Sequence, residues 1–266
     1  MTIRSASYPT ILAVSLLASL LIADWRSAFA QPTESPTERG PRRVRAYTVL
    51  SVELAPSLEM ERSAYESDVL WAIAEVARFF STAGFELPAQ RVLDAVLVFD
   101  TPLAAREYLA KDLGAPLAAI PETFAGTVVE ARLFLVSQGS YREVWQQLYP
   151  EWPWGGQTYR SLIVHEIAHR MHEVMVRAEF GSSDAMGPDW FFEGLAVVCA
   201  KQFETQEPAL SRAELRELVG SGHLPAVSYP QYGRIVRALA AEFGLRRLVS
   251  AAAQPDFPEL LWSAPR

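Results

Sequence analysis

The apolar positions of this chain follow two rhythms, one with the period of a strand or a short buried run and one with the period of a helix. Tyr47 to Leu54 carries β-branched and apolar residues suited to a strand. From Ser57 to Ala83 apolar residues recur at helical spacing, among them Val69, Ile73, Val76 and Phe80, and Gly84 supplies a C-cap. Val92 to Phe99 predicts a second strand; Thr101 and Pro102 then make an N-cap and first position for a helix that Gly114 ends. Thr127 to Val136 predicts a third strand, Ser140 opens a short helix through Tyr149, and an aromatic turn, WPWGG, follows. Thr158 to Phe180 predicts a helix stopped by Gly181, with Ile163, Ile167, Met171, Val174 and Ala178 as one apolar stripe. The small polar stretch GSSDAMG is a connector, Pro188 starts another helix, and Ser211 with Glu214 forms a capping box for the next. Strands early and helices late predict an α+β fold, with a small N-terminal sheet under covering helices and a mainly helical C-terminal part. The helix at 158–180 lies at the junction.

The N-terminal region has a different layout. Arg4 precedes a thirteen-residue apolar run, Ile11 to Ala23, and Ala28-Phe29-Ala30 offers a small-x-small cleavage site. That is the layout of a secretory signal peptide over 1–30, and the run is short of the about twenty residues a transmembrane helix needs. The expectation is an exported protein, periplasmic or secreted; membrane association follows only if the segment stays uncleaved as an anchor. Residues 31–43, QPTESPTERGPRR, lack apolar periodicity and predict a leader without stable structure, which leaves 44–266 as one domain.

Composition narrows the function classes. The chain has 24 basic and 31 acidic residues; removal of 1–30 takes Arg4, Arg26 and Asp24 with it and leaves a net charge of −8. With no basic run interleaved with aromatics, nucleic acid is not an expected partner. A single cysteine, Cys199, cannot form an internal disulfide, and its setting in LAVVCA predicts a small buried core residue rather than a reactive thiol.

The chemistry concentrates in LIVHEIAHRMHEVM, residues 162–175. On a helix His165 and His169, four residues apart, project from one face close enough to share a metal ion, and Glu166 sits beside them as a general base for an activated water. A catalytic zinc normally has three protein ligands and one open position, so a third ligand is required elsewhere. Glu193 in DWFFEGLA is a carboxylate in an apolar helical run, where burial calls for a cation or a hydrogen-bond partner.

HEIAH followed by WFFEGLA, with twenty-three residues between His169 and Glu193, resembles the gluzincin metallopeptidases, and within them the thermolysin-like, peptidase MA-like group of bacterial proteins. The resemblance implies a zincin-like fold with one Zn2+ per chain, His165, His169 and Glu193 as ligands, and Glu166 as catalytic base. It also implies that Gly194 is the small residue that lets the second helix approach the metal helix. A peptide or protein substrate follows, with endopeptidase as the expected activity, since no GAMEN-like strand is present to grip an amino terminus. No HxxGxxH extension follows the motif, which separates the chain from the metzincins.

An oxyanion donor is also needed, and Tyr229, Tyr232 and His223 are the candidates. Tyr229 best matches the position where a tyrosine in the resembling group faces the cleft. His172, three residues beyond His169, is expected to be a partly solvated, hydrogen-bonded histidine rather than a ligand. One position departs from the family's pattern: an acidic residue that orients a ligand histidine commonly lies one turn after the glutamate ligand, and here that position is Val197. Asp189 or a backbone carbonyl is then expected to orient the ring. The alternative reading is an envelope binding or assembly protein that keeps the fold without turnover.

Overall fold

The computed structural model describes residues 50–87, 92–114, 116–182, 185–204, 210–220 and 228–263. The signal segment, the leader, the start of the first expected strand and His223 lie outside the described residues. Among the described residues no helix is long and apolar enough to cross a membrane.

Four short strands form one sheet: β1 (Ser51–Leu54), β2 (Ala95–Phe99), β3 (Gly126–Val129) and β4 (Arg132–Val136), in the order β1-β2-β4-β3. β1, β2 and β4 run parallel, with Val52 beside Val96 and Val96 beside Leu133, while β3 runs antiparallel to β4. The two inner strands, AVLVF and RLFLV, are continuous apolar runs because helices cover both faces of a parallel sheet. Leu133, Phe134, Leu135 and Val136 are all fully buried.

One expectation fails here. Thr127 to Val136 is not one strand but the hairpin β3–β4, which turns at Glu130 and Ala131, with Glu130 at a φ of +56°. No Gly or Asn marks that turn. A carboxylate residue in the left-handed region is held there by the pairing of Val129 with Arg132.

Helix α1 (Arg62–Thr82) crosses between β1 and β2 after a 3-10 turn at Pro56–Glu61, and buries Tyr65, Val69, Ala72, Val76 and Phe80. It ends as expected at Gly84, whose φ of +84° lets the Gly84 and Phe85 N–H groups reach back to the carbonyls of Ser81 and Phe80. Helix α2 (Pro102–Leu113) is capped by the Thr101 side chain and stops at Gly114. Helix α3 (Gln138–Leu148) begins slightly earlier than expected because the Ser137 hydroxyl, rather than Ser140, provides the cap.

Helix α4 (Thr158–Phe180) has the expected bounds. It is wedged between α1, β3 and helix α5 (Asp189–Cys199). Ile163, Ile167, Met171 and Val174 are buried as the stripe predicts, but Ala178 is exposed, because the last turns of α4 run out of the core. Helices α6 (Arg212–Gly220), α7 (Tyr229–Phe243), α8 (Leu245–Ala252) and α9 (Glu259–Ser263) complete the C-terminal part. The Ser211–Glu214 capping box is formed, each residue's side chain accepting from the other's backbone N–H.

Helix α5 crosses α7 at close range, and two glycines make it possible. A Cβ on Gly194 would lie 2.6 Å from a Val236 methyl and 2.7 Å from the Tyr232 carbonyl oxygen, and one on Gly233 would lie 2.4 Å from a Val197 methyl. Gly194 therefore brings α5 onto α7, not onto the metal helix as expected. Val197, fully buried, fills the notch over Gly233. The departure at Val197 thus has a packing cause: the side chain points into an apolar helix crossing where an unpaired carboxylate would be costly.

Candidate metal centre

His165 and His169 sit one turn apart on the buried face of α4, and α5 brings Glu193 across to them. His165 Nε2 lies 3.0 Å from His169 Nε2 and 3.2 Å from Glu193 Oε2; His169 Nε2 lies 3.3 Å from the same oxygen. All three side chains are buried. Ligands at about 2.0–2.1 Å from one tetrahedral ion stand roughly 3.3 Å apart, so the three atoms are spaced as a shared cation would need them. Two aromatic nitrogens and a carboxylate oxygen are also the donor set that suits zinc or a similar ion.

The ring of His169 is stacked on Phe192, with centroids 3.9 Å apart and planes 26° from parallel. Phe192 immediately precedes Glu193, so the aromatic run that carries the carboxylate also fixes one imidazole. His165 is fixed differently. Its Nδ1 lies 3.0 Å from Gln202 Oε1, and since an amide oxygen can only accept, His165 donates from Nδ1, which leaves Nε2, bonded to Glu193 here, as the atom that ligates a metal once its proton is lost. Asp189, exposed at the start of α5, does not orient either ring.

Electrostatics follow from burial. Burial alone would raise the Glu193 carboxyl, but the charge of His169 and hydrogen bonds from both histidines outweigh it and hold the pKa at about 2. Burial pushes the His165 imidazole down, while its bond to Glu193 and the charges of Glu166 and Glu193 push it up further, leaving it raised. Glu166 is raised, chiefly by burial and also by Glu193, against the opposing pull of the two histidines. Gly126 on β3 makes room for it: a Cβ there would press within 3.3 Å of the Glu166 stem and 3.1 Å of Leu135.

Of the three expected oxyanion donors, Tyr229 stands at the first turn of α7 with its ring edge-on to His165, centroids 5.7 Å apart. Tyr232 is buried where α7 meets α5. The C-terminal end of α3 also comes near: burial raises the Tyr149 hydroxyl, and the Glu193 carboxylate raises it further.

His172 corrects its expectation. It is 1% exposed, not partly solvated, and neither ring nitrogen has a hydrogen-bond partner among the described residues. It lies edge-on to Phe191 and parallel to Phe192, and burial, with His169 adding, lowers its pKa to about 3. It is a neutral core side chain outside the cluster. Cys199 is buried, as its neighbours predict, and burial raises its thiol far above the ordinary range.

Gln202 is the site residue that sequence reasoning missed. Its only signal is a polar side chain two residues beyond the apolar run that ends at Ala200. No family model matches the chain, and no curated protein or solved structure matches it.

Proposed function

We propose that the chain is a zinc-dependent peptide hydrolase of zincin-like fold, akin to the gluzincins, acting outside the cytoplasm. The observation that carries this reading is the buried set of His165 Nε2, His169 Nε2 and Glu193 Oε2 within 3.3 Å of one another, with Glu166 buried next to it on the same helix. When bound there, a zinc ion would supply a Lewis acid that polarises a carbonyl and brings the pKa of a water toward about 7.

The chain's own residues supply the rest. Glu193, ionised down to about pH 2, is an anionic ligand throughout the working range. His165, with Nδ1–H donated to Gln202, presents Nε2 as a ligand. Glu166, its proton affinity raised by burial, takes the proton of the attacking water and hands it to the leaving amine. Tyr229, beside His165, is the donor to the developing oxyanion.

The sheet supports a peptide substrate. Among the described residues β3 is an edge strand with β4 as its one neighbour in the sheet, and its Gly126 lies against Glu166. An extended peptide adding to that edge would pair by backbone hydrogen bonds, a mode that accepts many side chains and delivers a carbonyl to the base.

The test is metal content of the purified protein together with hydrolysis of a mixed quenched-peptide library, with Glu166→Ala in parallel. One zinc per chain and turnover lost only in the variant is the expected result. Zinc with no turnover in the parent chain would favour the binding or assembly reading, and absence of metal would overturn the proposal.

A further inference from the structure

We infer that Gln202 is a positioning residue for the metal centre, held in place by a turn that the rest of the fold forces into a rarely used conformation. The inference rests on the zinc reading above and concerns how this chain replaces the acidic partner that Val197 cannot be.

The turn begins where α5 ends. Lys201 and Phe203, neither of them glycine, have φ of +51° and +53°, so Gln202 is bracketed by two left-handed residues. Such conformations persist only where surrounding contacts over-determine them. Three sets of contacts do so here. The N–H groups of Lys201 and Gln202 bond back to the carbonyls of Val198 and Val197, closing the helix end. Arg237 of α7 donates to the carbonyls of Gln202, at 3.3 Å, and Phe203, at 3.0 Å. Phe203 is enclosed by Trp145, stacked at 5.2 Å and 7°, with Tyr149 and Trp152 at its sides.

The result is a buried amide oxygen 3.0 Å from His165 Nδ1. An outer partner of this kind selects the tautomer and ring angle of a ligand histidine. An amide suits this pocket better than a carboxylate would. Glu166 and Glu193 already bring two buried negative groups, and a third would repel both, whereas a glutamine fixes the ring without adding charge.

The experiment compares the full chain with Gln202→Met, which keeps the length and loses the strong acceptor, and Gln202→Glu, which keeps an acceptor. Zinc affinity is read by competition with a chromophoric chelator, and ligand geometry by the visible spectrum of the Co2+-substituted protein. Gln202→Met is expected to bind zinc about 10–100-fold more weakly and to shift the Co2+ bands, with Gln202→Glu recovering only part of the affinity because its charge is repelled by Glu166 and Glu193. Arg237→Gln, which touches no ligand, is expected to shift the bands in the same direction by loosening the turn, and it carries the test should Gln202→Met fail to fold. Unchanged zinc affinity and Co2+ spectrum in Gln202→Met, or in Arg237→Gln where that variant stands in, would overturn the role of Gln202 while leaving the zinc reading intact. No zinc binding by the parent chain would overturn both.

Discussion

Replacing His172 with leucine isolates a group that the fold buries at a cost. The imidazole is enclosed beside Phe191 and Phe192, with no hydrogen-bond partner among the described residues and a pKa lowered to about 3. The unfolded chain would titrate this histidine near 6.5. Between the two values the unfolded state binds the extra proton, so stability rises with pH across that window and is lost as pH falls from about 6.5 toward 3. At pH 5 the loss relative to neutral pH is about 2 kcal/mol, and by pH 3 it is about 4 kcal/mol. At neutral pH the unpaired nitrogens cost a further 1–3 kcal/mol or so, which leucine, similar in bulk, removes. Urea denaturation of the metal-free protein, run in chelator at pH 7.5 and pH 5, separates the effects. His172→Leu is expected to be at least as stable as the parent at pH 7.5, and its advantage should widen by about 2 kcal/mol at pH 5, or roughly 4–8 °C in Tm. The same pH slope in both proteins would refute the claim that His172 is buried neutral.

Three other outcomes test the site directly. Glu193→Ala should weaken zinc binding by more than the roughly 10–100-fold expected from losing an outer partner, measured by chelator competition, because it removes a ligand atom. Gly194→Ala should destabilise the fold by about 1–3 kcal/mol in urea titrations, since its methyl meets the α7 backbone and Val236, and should lower zinc affinity by displacing the neighbouring Glu193. Zinc affinity should fall as pH falls, with the onset set by His165: its raised pKa means a proton competes for Nε2 nearer neutrality, whereas Glu193 remains ionised.

Much of this centre is legible in the one-dimensional pattern because it depends on local geometry. A helix period of 3.6 places His165 and His169 on one face whatever surrounds them, and the caps at Thr101, Gly114, Gly181 and Ser211 act within a few residues of themselves. The β3–β4 turn was not legible, because Glu130 adopts its left-handed conformation only when its strands pair. The packing of Gly194 and Val197 was hidden in the same way. Gly194 is expected to admit the metal helix and Val197 stands only as a departure from the family's pattern, while both face α7 across a crossing that no sequence spacing announces.

By itself, then, the sequence determined most of the helices, the inner apolar strands, the pair of histidines and the acidic residues at hand for the metal. Tertiary structure alone decided that Glu193 meets them, that His172 is sealed among aromatics, and that Gln202 reaches His165 from a turn clamped by Arg237 and Phe203. The physical reason is range: hydrogen bonds along a helix and the alternation of a strand act over a few residues, whereas the contacts that build the site join residues 28 and 37 positions apart, and their geometry exists only once the core has packed.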